Sequence, residues 1–391
     1  MKETEGLITK IILYNIYFFS FGLFLSKALT SLTGGLIVIF WLIKVIKNKR
    51  ISLKGTYLDK AILFFLIGIV FSLFDVWDMV VIDEILKYVL TILLFYIIIN
   101  TINNINQLKK ILYFSFSSLI IASTYGIYQH YALSVDRVGS FMSVLDFGGL
   151  LAISIVFLSA FIIWGDIPNR ERVLYFILDL LCIVNLVFTK TRGAWLAFIF
   201  GIFALFAIKK KSTTVVLLIV LVGIFFFLPD VYTDRFLSSF NLANSSNMGR
   251  IALWKGSILM FQDHFINGVG LGLFQKEYEN FYIQPNTVTT VHAHNNYLHF
   301  IAEAGIIGFF GLTYLMIIIL KMLYKYFINS DKVNVKLFFL SSFIAVLVFN
   351  IHGLTEFNFG DTDTLRFFWF LLSINIAVFK VYDKTKSNLG G

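Results

Sequence analysis

Long apolar segments recur along almost the whole chain, and their length is the feature that most limits how it can fold. Each is about 16 to 25 residues long, which is the length of a helix that crosses the ~30 Å hydrocarbon core of a bilayer. A membrane β-barrel would instead show alternating segments of ~10 residues, and the sequence has none. Only 14% of the residues are charged, against roughly 25% in soluble domains. The sequence therefore predicts an all-α polytopic membrane protein.

The apolar segments predict about twelve transmembrane helices in a single membrane domain, residues 1–391. One polar stretch, residues 230–295, is much longer than the other connections and is predicted to be a large loop that contains short helices. It lies between the ninth and tenth helices. The predicted spans are 8–26, 28–46, 60–75, 84–100, 111–129, 142–165, 171–188, 193–208, 213–229, 297–325, 335–352 and 364–382.

The lysines indicate how the helices are oriented in the membrane. Most of the 32 lysines and arginines fall in alternate connections, and the side enriched in them is cytoplasmic by the positive-inside rule. Both termini are then cytoplasmic, and the 230–295 loop is external. The net charge of +9 follows this topology, so we expect membrane lipids, and not nucleic acid, as partners of these cations.

Arginine is distributed differently from lysine. The cytoplasmic cations are nearly all lysine, whereas five arginines lie on the external side: Arg137, Arg192, Arg235, Arg250 and Arg366. A lysine is sufficient for topology, but the planar guanidinium suits bidentate recognition of phosphate. Arginines on the side where the insertion rule disfavours them therefore predict an anionic ligand there. The alternative is that some of them pair with acidic side chains or lipid headgroups.

The segment from Val291 to Glu303 is the most specific in the chain. It carries His292, His294 and His299 at the junction of the external loop and a helix. An imidazole at the membrane boundary can accept or donate a proton near neutral pH. His299 and Glu303 fall on one helical face. A stripe of small residues that allows close helix packing follows: Gly305, Gly308 and Gly311.

A metal site and a purely structural role are the two alternatives for these histidines. The three imidazoles could converge on a metal ion, but no thiol or closely spaced carboxylate set completes a coordination shell. Interfacial histidines can also lack any chemistry. We expect no metal and no cofactor.

Two arginines are predicted to lie at the starts of helices, where unpaired N–H groups favour anions. Arg192 follows Lys190 before an apolar span, and Arg250 precedes an amphipathic stretch that we place along the interface. The alternative for Arg192 is a cation that only snorkels to the surface. Residues 267–272, which are rich in glycine, are predicted to form a tight turn between loop helices.

Four further titratable residues are each compatible with more than one role. Asp146 and Asp179 fall inside apolar spans, where acids are candidates for ion coupling. They keep a transporter as an alternative. His352 and Glu356 lie near another external helix end. They either join the site or pair with each other.

The histidine segment resembles a known family motif. His294-Asn295, followed after nine residues by Gly305 and after two more by Gly308, is similar to the histidine motif of O-antigen ligases and related polysaccharide polymerases. Arg192 and Arg250 match positions at which that family carries arginines. The resemblance covers residues 189–311 by motif and the remainder by topology only.

The resemblance implies a metal-independent, inverting glycosyltransferase of the bacterial inner membrane with its site facing the periplasm. The donor would be an undecaprenyl-diphosphate-linked glycan, and the acceptor would be a sugar hydroxyl of lipid A-core. His294 would be the general base, and Arg192 and Arg250 would hold the diphosphate. Candidates for supporting roles are Arg137, Lys190, His292 and Asn295.

A ligase and a polymerase use the same donor class and differ in their acceptor. We favour the ligase because one dominant external loop holds both Arg250 and His294, whereas polymerases more often have two sizeable loops.

The predicted orientation can be tested by cysteine labelling in a variant that lacks Cys182. A cysteine that replaces Asn244 should react from outside with an impermeant thiol reagent, because residues 230–295 are external. A cysteine that replaces Lys210 should react only after the membrane is opened. Labelling of the second position alone from outside would reverse the topology and move the site to the cytoplasm.

Overall fold

The computed structural model describes residues 2–51, 53–74, 76–209, 214, 223, 226, 227, 229–285 and 292–387. Every regular element within these ranges is a helix. The helices are α1 (Lys2–Gly22), α2 (Lys27–Asn48), α3 (Asp59–Phe71), α4 (Met79–Thr101), α5 (Ile105–Tyr131), α6 (Val144–Trp164), α7 (Asn169–Phe188), α8 (Arg192–Lys209), α9 (Asp230–Leu237), α10 (Ser245–Asp263), α11 (Phe274–Glu277) with a π-helical turn (Tyr278–Tyr282), α12 (Asn296–Asn329), α13 (Val333–His352) and α14 (Thr362–Ser387).

The all-α prediction is confirmed for the described residues. Helices occupy every predicted span within them, whereas the ninth span, 213–229, lies largely outside them. Among the described residues, seven helices are long and apolar enough to cross a membrane: α2, α5, α6, α8, α12, α13 and residues 362–383 of α14. A multi-pass membrane protein is therefore supported, while the count of twelve spans and the periplasmic position of the long loop stay predictions.

Helix α6 lies at the centre of the bundle. Almost every residue from Asp146 to Ala160 is buried, because α7, α8 and α13 pack around it. A helix that is apolar on all sides is either enclosed by protein or faces lipid, and α6 is enclosed. Its N-terminal end carries Gly148 and Gly149, which lie against Thr191 and His352.

Glycines allow α3 and α12 to cross at close range. A Cβ atom on Gly68 of α3 would lie 2.9 Å from the Cα of Gly308, and one on Gly311 would lie 3.1 Å from the Cα of Phe65. Two members of the predicted small-residue stripe therefore bring α3 and α12 into backbone contact, which confirms the packing role expected for them.

The third glycine of the stripe breaks α12. Gly305 has φ 59° and ψ −162°, and the long loop is hydrogen-bonded on both sides of this break. Val269 donates to the carbonyl of Ala302 at 2.9 Å, and Ile306 donates to the carbonyl of Phe265 at 2.9 Å. The predicted turn at residues 267–272 is thus confirmed between α10 and α11, and it also anchors the loop to α12.

Helix α10 begins earlier than expected. The sequence placed Arg250 at its start, but the helix begins at Ser245, capped by Asn244, so Arg250 lies in its second turn. The Trp254 indole donates to the carbonyl of Ala293 at 3.1 Å. This bond ties the arginine-bearing helix to the histidine segment.

Replacing Gly305 with alanine should destabilise the protein. A Cβ there would lie 2.3 Å from the Ile266 carbonyl oxygen, and φ is in the left-handed region, where a strained residue costs about 1–3 kcal/mol. We expect a lower melting temperature in detergent. Gly35→Ala is the matched control, because no heavy atom lies within 4 Å of its added carbon. Equal melting temperatures for the two variants would contradict the anchoring role of the break.

Candidate active site

A cavity of about 410 Å³ opens where α6, α8, α10 and the end of α13 meet. Its wall combines cationic side chains with imidazoles and one carboxylate. The lining residues are Arg137, Leu145, Thr191, Arg192, Gly193, Arg235, Ser245, Ser246, Gly249, Arg250, Leu253, His294, His352, Thr355 and Glu356. We call this space the arginine cavity.

Two asparagines bring distant parts of the chain together at this cavity. The Asn295 side chain caps α12 by accepting from the N–H groups of Tyr297 and Leu298, and it donates to the carbonyl of Leu354 at 3.0 Å. Asn296 donates its N–H to the carbonyl of Gly353 at 2.7 Å. The start of α12 and the turn after α13 are therefore joined, which places residues 292–294 beside Glu356.

The pairing of His294 with Glu356 is the central contact of the site. His294 Nδ1 lies 3.0 Å from Glu356 Oε2, and His294 has φ 49°, a left-handed conformation that costs energy outside glycine. A carboxylate at Nδ1 favours the tautomer that carries its proton there, which leaves the Nε2 lone pair available. No residue of the described ranges bonds to Nε2. This arrangement is that of a general base oriented by a carboxylate.

Glu356 is only 4% exposed, yet its pKa is held low. Burial alone raises the pKa of this carboxyl, but the hydrogen bond from His294 and the nearby His292 and His352 imidazoles lower it to about 2. Its other oxygen, Oε1, accepts the Phe357 N–H at 3.1 Å. The carboxylate therefore stays charged at neutral pH.

His292 supports this arrangement from the other side. Burial lowers the pKa of His292 to about 4, despite the attraction of Glu356, so the ring is neutral at pH 7. Its Nδ1 accepts the backbone N–H of His294 at 3.3 Å, and its Nε2 lies 3.5 Å from Glu356 Oε1. His292 thus contacts both members of the His294–Glu356 pair.

Four of the five arginines predicted to be external line the arginine cavity: Arg137, Arg192, Arg235 and Arg250. Burial lowers the pKa of Arg137 and of Arg250, and their mutual repulsion with Arg235 lowers it further. Within the part of the chain that the structure describes, no carboxylate forms an ion pair with any of the four. Arg366 lies elsewhere, bonded to Thr30 and Ser31 hydroxyls.

Arg192 is anchored by the long loop. It is 5% exposed, and its terminal nitrogens donate to the Ser238 carbonyl and hydroxyl, the Ser246 hydroxyl and the Asn247 amide oxygen at 2.9–3.0 Å. These neutral oxygens do not balance its charge. Arg192 therefore holds α9 and α10 in place while its charge adds to the positive potential of the cavity.

Arg250 differs from its neighbours in having its donors unused. Its buried Nε has no partner, and its terminal nitrogens bond to none of the residues that the structure describes. Arg137 and Arg235, by contrast, donate through Nε to the carbonyls of Thr189 and Lys190. A buried donor without a partner is rare in proteins, so Arg250 is the arginine best placed to receive an anionic ligand.

Three of the predicted supporting residues do not line the arginine cavity: Lys190, His292 and Asn295. Lys190 pairs with Asp136 and extends over the Tyr232 ring. Asn295 uses its side chain to cap α12 and to bind the Leu354 carbonyl, as described above. Lys190 and Asn295 shape the wall without lining it.

The metal alternative involves a different set of ligands from the three histidines considered in the sequence. His292, His294 and Glu356 offer ligand atoms within 4.8 Å of one another. His299 is not among them, because its Nε2 lies 3.0 Å from Glu303 and its ring packs on Phe357. Four arginines around one carboxylate repel a divalent cation and attract an anion.

Sequence reasoning left Glu356 and His352 unassigned, and it placed Arg235 only within the general arginine set. The one available signal for the first two was their spacing of four residues near an external helix end. The structure gives them different partners, since Glu356 bonds His294, whereas His352 bonds Asn358 at 2.9 Å.

Residues 177–313 match the family model described as O-Antigen ligase. The matched segment runs from α7 to the middle of α12 and includes Arg192, Arg250 and His294. It ends before His352 and Glu356. No curated protein sequence matches the chain significantly. The match confirms the resemblance to an O-antigen ligase-like family, which comprises ligases and polymerases.

The depressed pKa of Glu356 predicts a pH-dependent contribution to stability. A carboxyl whose pKa falls from 4.5 to about 2 on folding stabilises the protein above pH 4.5, and the effect is lost as the pH falls toward 2. Glu356→Gln should therefore lower the melting temperature at pH 7, and its difference from wild type should shrink below pH 4.5. The control is Glu279→Gln, an exposed position in the π-helical turn. A difference that stays constant with pH would contradict this pairing.

Proposed function

We propose that the protein transfers a glycan from an undecaprenyl-diphosphate-linked donor to a sugar hydroxyl of lipid A-core, as an O-antigen ligase does. The reaction would take place at the periplasmic face of the inner membrane, without a metal or cofactor. The observation that carries the proposal is the arginine cavity itself, in which a carboxylate-oriented imidazole shares one wall with four arginines that lack acidic partners.

His294 is the general base of the proposed reaction. Its Nε2 takes the proton of the acceptor hydroxyl as that oxygen attacks the anomeric carbon. The negative charge of Glu356, 3.0 Å from Nδ1, stabilises the imidazolium that forms. A base oriented in this way needs no rearrangement during the step, because two hydrogen-bonded elements already hold it.

The arginines bind and stabilise the diphosphate. The bond between the anomeric carbon and the diphosphate oxygen breaks, and its electron pair leaves with the diphosphate. The acceptor oxygen bonds to the opposite face of that carbon, so the anomeric configuration is inverted. Fixed positive charges aimed at a leaving group are a large source of rate enhancement in sites shielded from water.

The arginines divide this work according to their contacts. Arg250, whose donors are unused, contacts the diphosphate directly. Arg137 and Arg235 contribute their terminal nitrogens, since each is held through Nε on the turn before α8. Arg192 holds α9 and α10 through Ser238, Ser246 and Asn247 and adds its charge.

A polymerase is the second candidate, because the matched family includes both activities. It would use the same donor and the same cavity but extend a second lipid-linked glycan. Deletion of the gene distinguishes them by the product left on lipid A-core. Loss of all polymer indicates a ligase, whereas capping by a single repeat indicates a polymerase.

Variants of His294 and Arg250 should separate catalysis from donor binding. His294→Ala should lower transfer roughly 10²–10⁴-fold while donor affinity stays close to wild type, since the base acts on the acceptor. Arg250→Ala should weaken donor binding as well, by about 1.5–3 kcal/mol for a charged hydrogen bond. Arg250→Lys should restore only part of the affinity, because a point charge cannot replace the guanidinium fork. Transfer and binding are measured on the same purified variants with lipid-linked donor.

Arg366→Ala is the matched control, because this external arginine lies outside the arginine cavity. It should retain both activities. Transfer at the wild-type rate by His294→Ala would refute the role of His294 as the base.

Treatment with EDTA tests the metal alternative. Loss of activity that a divalent cation restores would assign His292, His294 and Glu356 to a metal ion instead.

A further inference from the structure

His352 is a second imidazole in the wall of the arginine cavity, and the proposed reaction does not use it. It is the last residue of α13 and is only 3% exposed. Gly149 of α6 makes room for the ring, since a Cβ at this position would lie 2.8 Å from His352 Nδ1. The imidazole is therefore held in one place between α6 and the cavity.

The hydrogen-bond network determines which ring nitrogen of His352 carries the proton. The Asn358 amide nitrogen donates to the Phe349 carbonyl at 2.8 Å, which leaves its Oδ1 to face His352 Nδ1 at 2.9 Å. An amide oxygen can only accept. In the neutral ring Nδ1 is therefore the donor and Nε2 carries a lone pair.

His352 Nε2 is buried and has no hydrogen-bond partner in the described part of the chain. The Arg250 Nε is in the same condition, and both residues line the arginine cavity. The Arg250 Nε is a donor, and His352 Nε2 is an acceptor. Buried polar atoms are nearly always paired in the functional state, so a ligand that satisfies both must offer an acceptor and a donor.

We propose that His352 Nε2 accepts a hydrogen bond from a hydroxyl or amide N–H of the donor sugar that is attached to the diphosphate. A fully ionised diphosphate offers only acceptor oxygens, which suit Arg250 but not His352. The sugar next to it carries the donors that the diphosphate lacks. His352 is thereby a specificity residue for the glycan, and this assignment rests on the proposed binding of diphosphate in the arginine cavity.

Two substitutions can test this role, because each retains one side of the imidazole. His352→Asn places its amide near the Nδ1 position and can keep the contact with Asn358. His352→Gln reaches toward the Nε2 position and can restore an acceptor there. A change in folding caused by either variant would act on all ligands alike, so the readout is a comparison of two ligands.

The experiment measures dissociation constants for undecaprenyl diphosphate and for undecaprenyl-diphospho-N-acetylglucosamine, at pH 8, with purified protein in detergent. His352→Asn should weaken binding of the sugar-bearing lipid by about 3- to 10-fold, the range for one neutral hydrogen bond. Its affinity for the bare diphosphate should not change. His352→Gln should recover part of the loss, and His264→Asn, a loop position outside the cavity, should bind both lipids as wild type does.

Each other outcome has a definite meaning. If His352→Asn weakens both lipids equally, or neither, then His352 does not contact the sugar and the inference is overturned. If correctly folded wild-type protein binds neither lipid, the proposed diphosphate site itself is wrong, and the inference fails with it. If His352→Asn weakens binding of the sugar-bearing lipid alone, the result supports both the diphosphate site and the contact of His352 with the sugar.

Discussion

The carboxylate of Glu356 is the contact around which the candidate site is organised. It lies between two imidazoles of the histidine segment, with one oxygen at 3.0 Å from His294 and the other at 3.5 Å from His292. An isolated buried charge is costly, and this one is stabilised by the imidazoles and a backbone N–H. The same contacts determine the tautomer of His294 and therefore which nitrogen can act as a base.

The arginines give the same cavity an excess of positive charge. Four guanidinium groups line one cavity, and none of them pairs with a carboxylate among the described residues. The four like charges repel one another. Unfavourable charge clusters of this kind are concentrated at functional sites, where a bound ligand can offset the repulsion. Neutral oxygens of the loop hold Arg192, but they leave the net positive charge uncompensated. A bound anion would reduce the repulsion, which is why the cavity favours an anion over a divalent cation.

The break in α12 connects the histidine segment to the long loop that carries Arg235 and Arg250. At Gly305 the helix backbone leaves the helical conformation and receives the loop segment 265–270 through backbone hydrogen bonds. Helix α10, which precedes this segment and carries Arg250, is joined to the histidine segment by the hydrogen bond from Trp254 to the Ala293 carbonyl. The Gly68–Gly308 contact holds the remainder of α12 against α3. The small residues of the motif thus act through backbone geometry and take no part in the chemistry.

The sequence by itself determined the helical class and the positions of the helices, because the spacing of apolar residues reflects the thickness of a membrane. It also singled out His294, Arg192 and Arg250 as candidates, since arginine at a predicted external position and histidine at a helix boundary are unusual enough to stand out. Only the tertiary structure decided which of the candidates meet. Glu356 lies 62 residues from His294 in the chain, and no local pattern encodes that contact. The same holds for Arg192, whose partners lie in the loop, and for Lys190, which faces Asp136. Local periodicity records which face of a helix is buried, whereas the composition of a site depends on which helix ends pack together.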